Sequence, residues 1–548
     1  MKKHQFTIIL VIVALINITQ GFSTELLQDE AYYWMYSNFL NWGYFDHPPL
    51  VAVYIYISNF FFSGELGVRL MSAVFYSITV ALIWTLIDMP NKKKHQNLFL
   101  LTFLSTALLN VYGFITVPDT PFLFFMALYL IAYKRVLKLN DWKGFLLFSI
   151  SIAGLLYSKY TGILVVGFTI FSNLKILKNK NFWFSILGVI ILFAPHLLWQ
   201  HFNDYPSIRY HLFERSSNRT YRIDYTTMHL VNQIAILGFT FPIIYLAFYK
   251  NLKNKDLFQK ALNYIVIGFI GFFFLMSFKG PTQAQWTLPI SFPLIIITFL
   301  YILDNPKSKK IFKRLAIVNL VVIVLARILL ANEGILPVEL ETHGNKKWVE
   351  KIAKETKGQK KLFLNSYQNA SIYSFYSKDA LTGAYNSFDA RKNQFNIWNL
   401  QDSLLNQDII QITGHDNGDA LYVFKKKKKG KLYAGILEDF KSLRNLKYIS
   451  GNATLHNNNN TVDISIYNPY RYDLYTEKIG TVIILKDAKN KTINVTSASY
   501  REDITITSSK RTSHTLLFNI NESIDIKRVD HFDIAVRNNP KMAYQKVN

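Results

Sequence analysis

The sequence predicts a polytopic α-helical membrane domain followed by a region with an α/β part and an antiparallel β-sandwich. Half of the 548 residues are apolar and only 18% are charged, whereas a soluble domain carries about 25% charged residues. Long apolar stretches fill residues 1–331 and end there. From residue 431 onward, apolar and polar residues alternate with period two, which is typical of half-buried strands.

Eleven apolar stretches in residues 1–331 are candidate membrane-spanning helices, since a helix needs roughly 20 mostly apolar residues to cross a bilayer. The first follows Met1-Lys2-Lys3 and resembles a signal peptide, but no small-x-small cleavage site follows it, so a retained span is favoured. The fifth and sixth are short. The candidates are residues 6–22, 66–89, 97–117, 120–134, 144–158, 160–174, 182–200, 229–249, 260–278, 286–303 and 314–331.

Lysine and arginine residues predict the orientation of these spans. They concentrate in alternate gaps, at 90–96, 134–143, 175–180, 250–260 and 304–314. The positive-inside rule makes that face cytoplasmic, together with the N-terminus. The other gaps, and everything after residue 331, then face outward. Topology therefore explains much of the net charge of +25, and we do not expect a nucleic-acid partner.

Several classes of site are excluded by residues that the sequence lacks. There is no cysteine, which excludes a disulfide scaffold and a Cys-ligated metal. The phosphate-loop, dinucleotide, zinc-protease and nucleophile-elbow motifs are absent. No Asp-x-Asp pair is present either. Since that pair commonly holds a metal-bound nucleotide sugar, a nucleotide sugar is not expected as a donor.

The first outward loop, residues 23–65, begins with a predicted helix. Ser23 or Thr24 can cap it. Asp29 shares one helix face with three tyrosines at positions 32, 33 and 36. An acid beside aromatic rings at a membrane surface suits a carboxylate that handles a sugar hydroxyl. An interfacial helix with an aromatic belt is the alternative.

Other unusual residues also lie outside or at the edge of the predicted spans. Two prolines predict a rigid turn that would hold Asp46 and His47 beside the second span; a turn with a solvated Asp-His pair is the alternative. Arg69 lies just inside that span, where a charge is costly and suggests a function; snorkelling to the interface is the alternative. Lys159 and Lys279 are outward exceptions to the inward bias of lysine and suit an anionic lipid head group, although interface anchoring remains open.

The outward C-terminal half contains two predicted regions. Residues 332–430 mix strand-like and helix-like segments and predict a small α/β domain. Its lysine run at 425–429 is more typical of a solvated surface than of a site, with anionic lipid or polysaccharide as alternative partners. Residues 431–548 contain six alternating segments and predict the sandwich, which could bind carbohydrate or acceptor, or stabilise the outer face.

The order of these motifs resembles the PMT-like membrane glycosyltransferases of bacteria, in the C-type superfamily with the protein O-mannosyltransferases and the lipid A aminoarabinose transferase. The resemblance covers about residues 5–300. It is carried by Asp29-Glu30-Ala-Tyr-Tyr-Trp, Gly43-Tyr-Phe-Asp-His47-Pro-Pro-Leu50, Gly67-Val-Arg69, Pro118-Asp119-Thr-Pro121, Ser158-Lys159-Tyr160-Thr-Gly162 and Lys279…Trp286-Thr-Leu-Pro289.

The resemblance implies a GT-C type membrane domain at residues 1–331 that inverts the anomeric centre of a sugar carried by a polyprenyl phosphate. It implies a multi-pass protein of the bacterial inner membrane with a periplasmic C-terminal half. The acceptor would be a lipid, polysaccharide or protein of the cell envelope. The superfamily varies in its use of a divalent cation, and the sequence shows no metal-ligand cluster.

The resemblance also implies roles for individual residues. Asp29 matches the general base, Glu30 would orient Asp29 or the acceptor, and Asp119 matches a second acid. His47 stands where the aminoarabinose branch has a phosphate-contacting lysine, which argues against that substrate. The candidates for binding the lipid phosphate and donor are His47, Arg69, Lys159, Tyr160, Lys279 and Trp286.

Two other functions remain open from the sequence. A transporter or flippase of lipid-linked glycans would place its charged residues along both halves of a pathway, and here they gather on one face. A glycan-binding surface protein would need only one membrane anchor, and eleven candidate spans are difficult to explain in that way.

Overall fold

The computed structural model describes residues 4–214, 220–335, 337–426, 430–454, 460–488, 490–520 and 524–547. The chain divides into two compact units, Met1–His343 and Gly344–Asn548. The predicted boundary at residue 331 lies close to this division.

The described part of the first unit is helical. Its helices are α1 (Gln5–Ser23), α2 (Gln28–Asn38), α3 (Leu50–Phe61), α4 (Gly64–Thr85), α5 (Gln96–Leu104), α6 (Asp119–Leu139), α7 (Trp142–Ser158), α8 (Gly162–Ser172), α9 (Lys180–Phe202), α10 (Pro206–Arg209), α11 (Ile223–Leu237), α12 (Phe241–Asn251), α13 (Leu257–Ser277), α14 (Ser291–Asp304) and α15 (Pro306–Ala331).

The described residues contain seven helical stretches that are long and apolar enough to cross a membrane, and three shorter apolar helices, α3, α7 and α8. The protein is therefore a multi-pass membrane protein. The exact number of eleven spans is not confirmed. One reason is that residues 97–117, predicted as a single span, form α5 and a separate 3-10 helix at Leu108–Gly113.

The loop at residues 23–65, predicted to face outward, contains two complete helices, of which the sequence predicted one. The predicted helix is α2, but it begins after Leu27 instead of after Ser23 or Thr24. The reason is that α1 continues to Ser23, and the backbone from Thr24 leaves it in an extended conformation. Helix α3 follows the two prolines of the loop and was not predicted.

The second unit begins with an α/β part. Helices α16 (Asn345–Glu355) and α17 (Tyr367–Ser377) accompany a five-stranded mixed sheet of order β2-β1-β3-β5-β4. Strand β1 runs parallel to β2 and β3, and β5 runs antiparallel to β3 and β4. The strands are β1 (Lys360–Leu364), β2 (Gly383–Tyr385), β3 (Ile409–Thr413), β4 (Tyr422–Lys425) and β5 (Lys431–Leu437).

The prediction assigned residues 431–437 to the sandwich, and this assignment was wrong. Strand β5 forms a hairpin with β4, closed by a hydrogen bond from the N–H of Lys426 to the carbonyl of Gly430 at 2.8 Å. It therefore completes the sheet of the α/β part.

The remaining strands form a seven-stranded antiparallel sheet of order β14-β13-β9-β10-β12-β7-β6, with a separate pair β8–β11. Apolar side chains of that pair, Leu474 and Ile506, share a core with the large sheet, so the second layer is short. The strands are β6 (Lys447–Thr454), β7 (Asn460–Tyr467), β8 (Leu474–Tyr475), β9 (Gly480–Lys486), β10 (Thr492–Tyr500), β11 (Thr505–Ile506), β12 (Arg511–Phe518), β13 (His531–Arg537) and β14 (Gln545–Lys546).

Candidate active site

Asp29 lies in the first turn of α2 with its side chain exposed. A helix N-terminus carries a partial positive charge, which stabilises a carboxylate there. The neighbouring Glu30 is completely buried. The two adjacent acids thus have opposite environments, and Asp29 is the one that a ligand can reach.

Glu30 forms a buried ion pair with Arg69 of α4. Its Oε1 accepts from Nε of Arg69 at 2.8 Å and from the backbone N–H of Thr116 at 2.9 Å. Its Oε2 accepts from Nη2 of Arg69 and from the N–H of Leu27. Glu30 therefore joins the start of α2 to α4 and to the segment before α6.

The guanidinium of Arg69 is buried and fully engaged. Besides Glu30, it donates to the carbonyls of Gly21, Thr24 and Glu25, at the end of α1 and in the link to α2. These bonds use all five N–H donors that an arginine has. The prediction that Arg69 contacts a lipid phosphate does not agree with this geometry, which instead fixes the turn that presents Asp29.

Asp119 forms an ion pair with Lys159. The sequence predicted a role for each residue but not their contact. Nζ of Lys159 lies 2.8 Å from Oδ1 and 3.1 Å from Oδ2 of Asp119. Asp119 is the first residue of α6, and Lys159 follows the last residue of α7. The side chains are 9% and 11% exposed, so the pair lies at the edge of the protein interior.

The segment from Thr116 to Asp119 connects the two ion pairs. The N–H of Thr116 donates to Glu30, and its hydroxyl contacts that of Ser72 on α4 at 2.5 Å. Three residues later the chain reaches Asp119 and begins α6. The positions of Asp29 and Lys159 are thus coupled through a short, hydrogen-bonded stretch of backbone.

Tyr160 belongs to a polar network that α9 supplies. Its hydroxyl lies 3.1 Å from Nε2 of His196 and accepts from Nε2 of Gln200 at 3.0 Å. The same Gln200 nitrogen donates to Ser207, whose hydroxyl donates to the carbonyl of Tyr44 at 2.9 Å. This network connects the end of α7 to the loop at residues 23–65.

Asp46 connects the loop at residues 39–49 to α2 through hydrogen bonds. This buried carboxylate accepts from the hydroxyl of Tyr32 at 2.8 Å and of Tyr36 at 3.4 Å. Burial raises the pKa of Tyr36 well above its usual value, so the phenol stays protonated and donates. His211 contacts the Asp46 carbonyl at 2.9 Å, and the His47 ring lies edge-on to Tyr33 at 5.8 Å.

These hydrogen bonds and ion pairs connect the residues in a ring, which we call the site ring. It runs from α2 through Thr116, Asp119, Lys159 and Tyr160 to α9, and returns through the loop at residues 44–47. Six of the predicted site residues contribute to it or lie beside it: Asp29, Glu30, His47, Asp119, Lys159 and Tyr160. Arg69 stabilises the site ring through its buried ion pair with Glu30.

Lys279 and Trp286 have their described contacts elsewhere. The N–H of Lys279 donates to the carbonyl of Met276, in the exposed turn that follows α13. The ring of Trp286 lies 5.6 Å from that of Phe273 on α13. These contacts place both residues beside α13.

Sequence reasoning missed His196 and Gln200. They are polar residues four positions apart within an apolar span, and both are buried. The rule that drew attention to Arg69, that polar groups inside a span mark function, would also have found them. Within the described ranges, no group of three histidine, aspartate or glutamate side chains is arranged to hold a metal ion.

Residues 46–199 match the sequence model of the dolichyl-phosphate-mannose-protein mannosyltransferase family. No curated protein matches the chain significantly. Among solved structures, ArnT from Cupriavidus metallidurans in the apo state is similar, with a TM-score of 0.59 and 14% identity over 80% of this chain and 98% of ArnT. ArnT from the same organism bound to undecaprenyl phosphate has a TM-score of 0.58 and 15% identity, over 79% of this chain and 98% of ArnT.

These comparisons confirm the resemblance that the sequence motifs indicated. The fold is the GT-C fold of ArnT, and residues 46–199 are similar to the mannosyltransferase family model. The matched family segment contains Asp119, Lys159 and Tyr160 of the site ring, whereas Asp29 precedes it.

Proposed function

We propose that the protein transfers a hexose or pentose from a polyprenyl phosphate to a cell-envelope acceptor, with inversion of the anomeric centre. The acceptor would be a lipid, polysaccharide or protein at the outer face of a bacterial inner membrane. The similar ArnT structure bound to undecaprenyl phosphate supports a donor of this class. The observation that carries the proposal is the exposed carboxylate of Asp29, held on a rigid, ion-paired turn.

Asp29 would act as the general base. Its carboxylate would take the proton of the acceptor hydroxyl as that oxygen attacks the anomeric carbon. The bond from this carbon to the phosphate oxygen breaks, and the polyprenyl phosphate leaves with the electron pair. One sugar is thus transferred for each lipid phosphate released, and no oxidant or nucleotide is consumed.

Lys159 is the best placed cation for the leaving phosphate. Its ammonium is held at the edge of the interior by Asp119, and it can turn one of its three N–H donors to a ligand. Negative charge grows on the leaving oxygen in the transition state, where a fixed cation stabilises it most. Asp119 would then orient Lys159, and Tyr160 and His47 would line the donor side.

The topology of the protein is part of the proposal. The basic gaps would lie in the cytoplasm with the N-terminus, and the site ring and the second unit would face the periplasm. A lipid-linked donor in the outer leaflet would then reach Lys159 from the membrane, and the acceptor would reach Asp29 from the aqueous side.

The substitution Asp29→Asn tests the proposal in cells. It keeps the shape of the side chain but removes the base, so a polyprenyl-phosphate monosaccharide should accumulate in the membrane lipids, as measured by mass spectrometry. The mass of that lipid would also distinguish a hexose from a pentose.

Asp224→Asn is a matched control, because Asp224 is likewise an acid in the first turn of a helix, α11, with 48% of its side chain exposed. This variant should leave the lipids unchanged. If the lipids of Asp29→Asn cells also match the wild type while the protein is inserted and the pathway is active, the base role is excluded. Accumulation of donor on the cytoplasmic side alone would favour the flippase.

A further inference from the structure

The β4–β5 hairpin of the second unit carries a surface that the transferase reaction does not use. We define the basic hairpin face as Leu421, Val423, Lys425, Lys431 and Tyr433. Six of the seven residues from 425 to 431 are lysine, and no acid occurs between Asp419 and Glu438. Lysines 427–429 lie outside the described residues, and the five residues of the basic hairpin face lie on either side of them.

Strand geometry puts these side chains on one face. Val423 and Lys425 alternate along β4, and Leu421 directly precedes the strand, with its N–H bonded to the carbonyl of Ala434. All three are exposed, Leu421 by 61% and Val423 by 53%. Val423 lies opposite Tyr433. The intervening Phe424 is buried on the opposite face, where α16 packs against β4.

The charges on this face are unfavourably arranged for the isolated protein. Lys425 and Lys431 are directly opposite each other in the register of the hairpin, and like charges in that position repel. The positive-inside rule does not account for these two lysines, because the second unit is on the predicted outward side. A partner with negative charge would relieve the repulsion.

The exposed apolar side chains decide between the two anionic partners that suit a lysine cluster. A soluble acidic polymer would be bound by charge and would gain little from Leu421 and Val423. A membrane surface uses both, since apolar side chains enter the head-group region while lysines pair with anionic lipids. Thirteen residues separate α15 from α16, so the first residue of α16 cannot lie more than roughly 45 Å from the end of α15.

We propose that the basic hairpin face binds the surface of a bilayer that contains anionic phospholipid. It would hold the second unit against the leaflet in which the lipid-linked donor arrives. The proposal does not depend on the transferase activity, because it concerns a surface outside the site ring.

The lack of cysteine allows a direct test on the full chain. A Leu421→Cys variant is labelled with an environment-sensitive fluorophore and placed in nanodiscs of phosphatidylcholine, with or without phosphatidylglycerol. We expect quenching by aqueous iodide to fall several-fold, and quenching by spin-labelled lipid to rise, only when phosphatidylglycerol is present. High salt should reverse both changes, because it screens the charges.

Charge reversal and a second label position provide the controls. Lys425→Glu with Lys431→Glu should abolish the protection, whereas Lys447→Glu with Lys491→Glu, at two other exposed lysines, should not. A label at Val495→Cys, on β10, should stay open to iodide in all discs. The proposal would be overturned if the label at position 421 were equally protected from iodide in both kinds of disc. It would also be overturned if protection required an added soluble polyanion such as heparin.

Discussion

At the residue scale, the buried pair of Glu30 and Arg69 accounts for how Asp29 is presented. Arg69 contacts three carbonyls around the link from α1 to α2, and Glu30 holds the N–H of Leu27 just before α2. Taking two charges out of water is costly unless every donor and acceptor is satisfied. Here the hydrogen bonds meet that condition, so the pair sets the position of its neighbour Asp29.

Removing one member of this pair should be worse than removing both. Glu30→Gln leaves the Arg69 charge buried without a counter-charge, which costs about 3–5 kcal/mol. The double variant Glu30→Gln with Arg69→Gln removes both charges and should recover part of that loss. The melting temperatures of the wild type, Glu30→Gln and the double variant in detergent measure these differences in stability. Equal melting temperatures for the wild type and Glu30→Gln would contradict the role of the ion pair.

The sequence alone could identify the residues of the site but not their pairing. Arg69 and Lys159 were noticeable as charges in apolar surroundings, yet their partners lie 39 and 40 positions away in the chain. No periodicity connects residues so far apart. This is why Arg69 was predicted as a phosphate ligand, although its donors are used within the protein.

At the scale of elements, one predicted span, 229–249, is broken into α11 and α12. The break lies at Gly238, with φ +65° and ψ −152°, a conformation that a side chain does not tolerate. Asn319 of α15 satisfies the freed backbone. Its Nδ2 donates to the carbonyls of Leu237 and Ser105, and its Oδ1 accepts from the N–H of Phe239 at 2.7 Å.

Substitutions at this break should destabilise the membrane domain. A Cβ on Gly238 would lie 2.5 Å from Oδ1 of Asn319, so Gly238→Ala should cost about 1–3 kcal/mol through backbone strain. Asn319→Leu should cost several kcal/mol, because unpaired backbone groups are expensive inside a membrane. Unfolding of the purified variants in detergent provides the measurement.

Gly271→Ala is the matched control, since Gly271 lies in α13 and a Cβ there would meet nothing within 4 Å. It should be neutral or slightly stabilising. A similar loss of stability in both glycine variants would show that the break at Gly238 is not special.

Hydropathy could predict long apolar helices but not where each helix ends. The end of α1 is set by Arg69, which takes the carbonyls of Gly21 and Thr24, so the expected caps for α2 are not used. Helix α3 was missed because its apolar residues stand in a short stretch after two prolines. In both cases a distant contact or a local turn outweighed the sequence pattern.

At the scale of the whole molecule, the predicted orientation places the basic gaps and the second unit on opposite sides of the membrane. Cysteines introduced into the cysteine-free chain at Lys93 and at Lys447 test this with a membrane-impermeant maleimide. Added to the periplasmic side, the reagent should modify Lys447→Cys at once and Lys93→Cys only after lysis. Modification of both from the same side would refute the topology.

The large-scale organisation was predictable because composition changes sharply at one place in the chain. Apolar content separates the membrane unit from the second unit, and period-two alternation indicates the antiparallel strands. The assignment of β5 was wrong because its alternation is the same whether its partner is β4 or a strand of the large sheet. Strand pairing depends on contacts between segments, which a local pattern does not contain.

The most direct test uses the purified protein in nanodiscs with a polyprenyl-phosphate sugar isolated from its own host membranes and a host envelope extract as acceptor. We predict that the wild type releases one polyprenyl phosphate for each sugar transferred, and that Asp29→Asn leaves the donor intact. Equal consumption of donor by Asp29→Asn, or movement of intact donor across the bilayer by the wild type without release of its sugar, would contradict it.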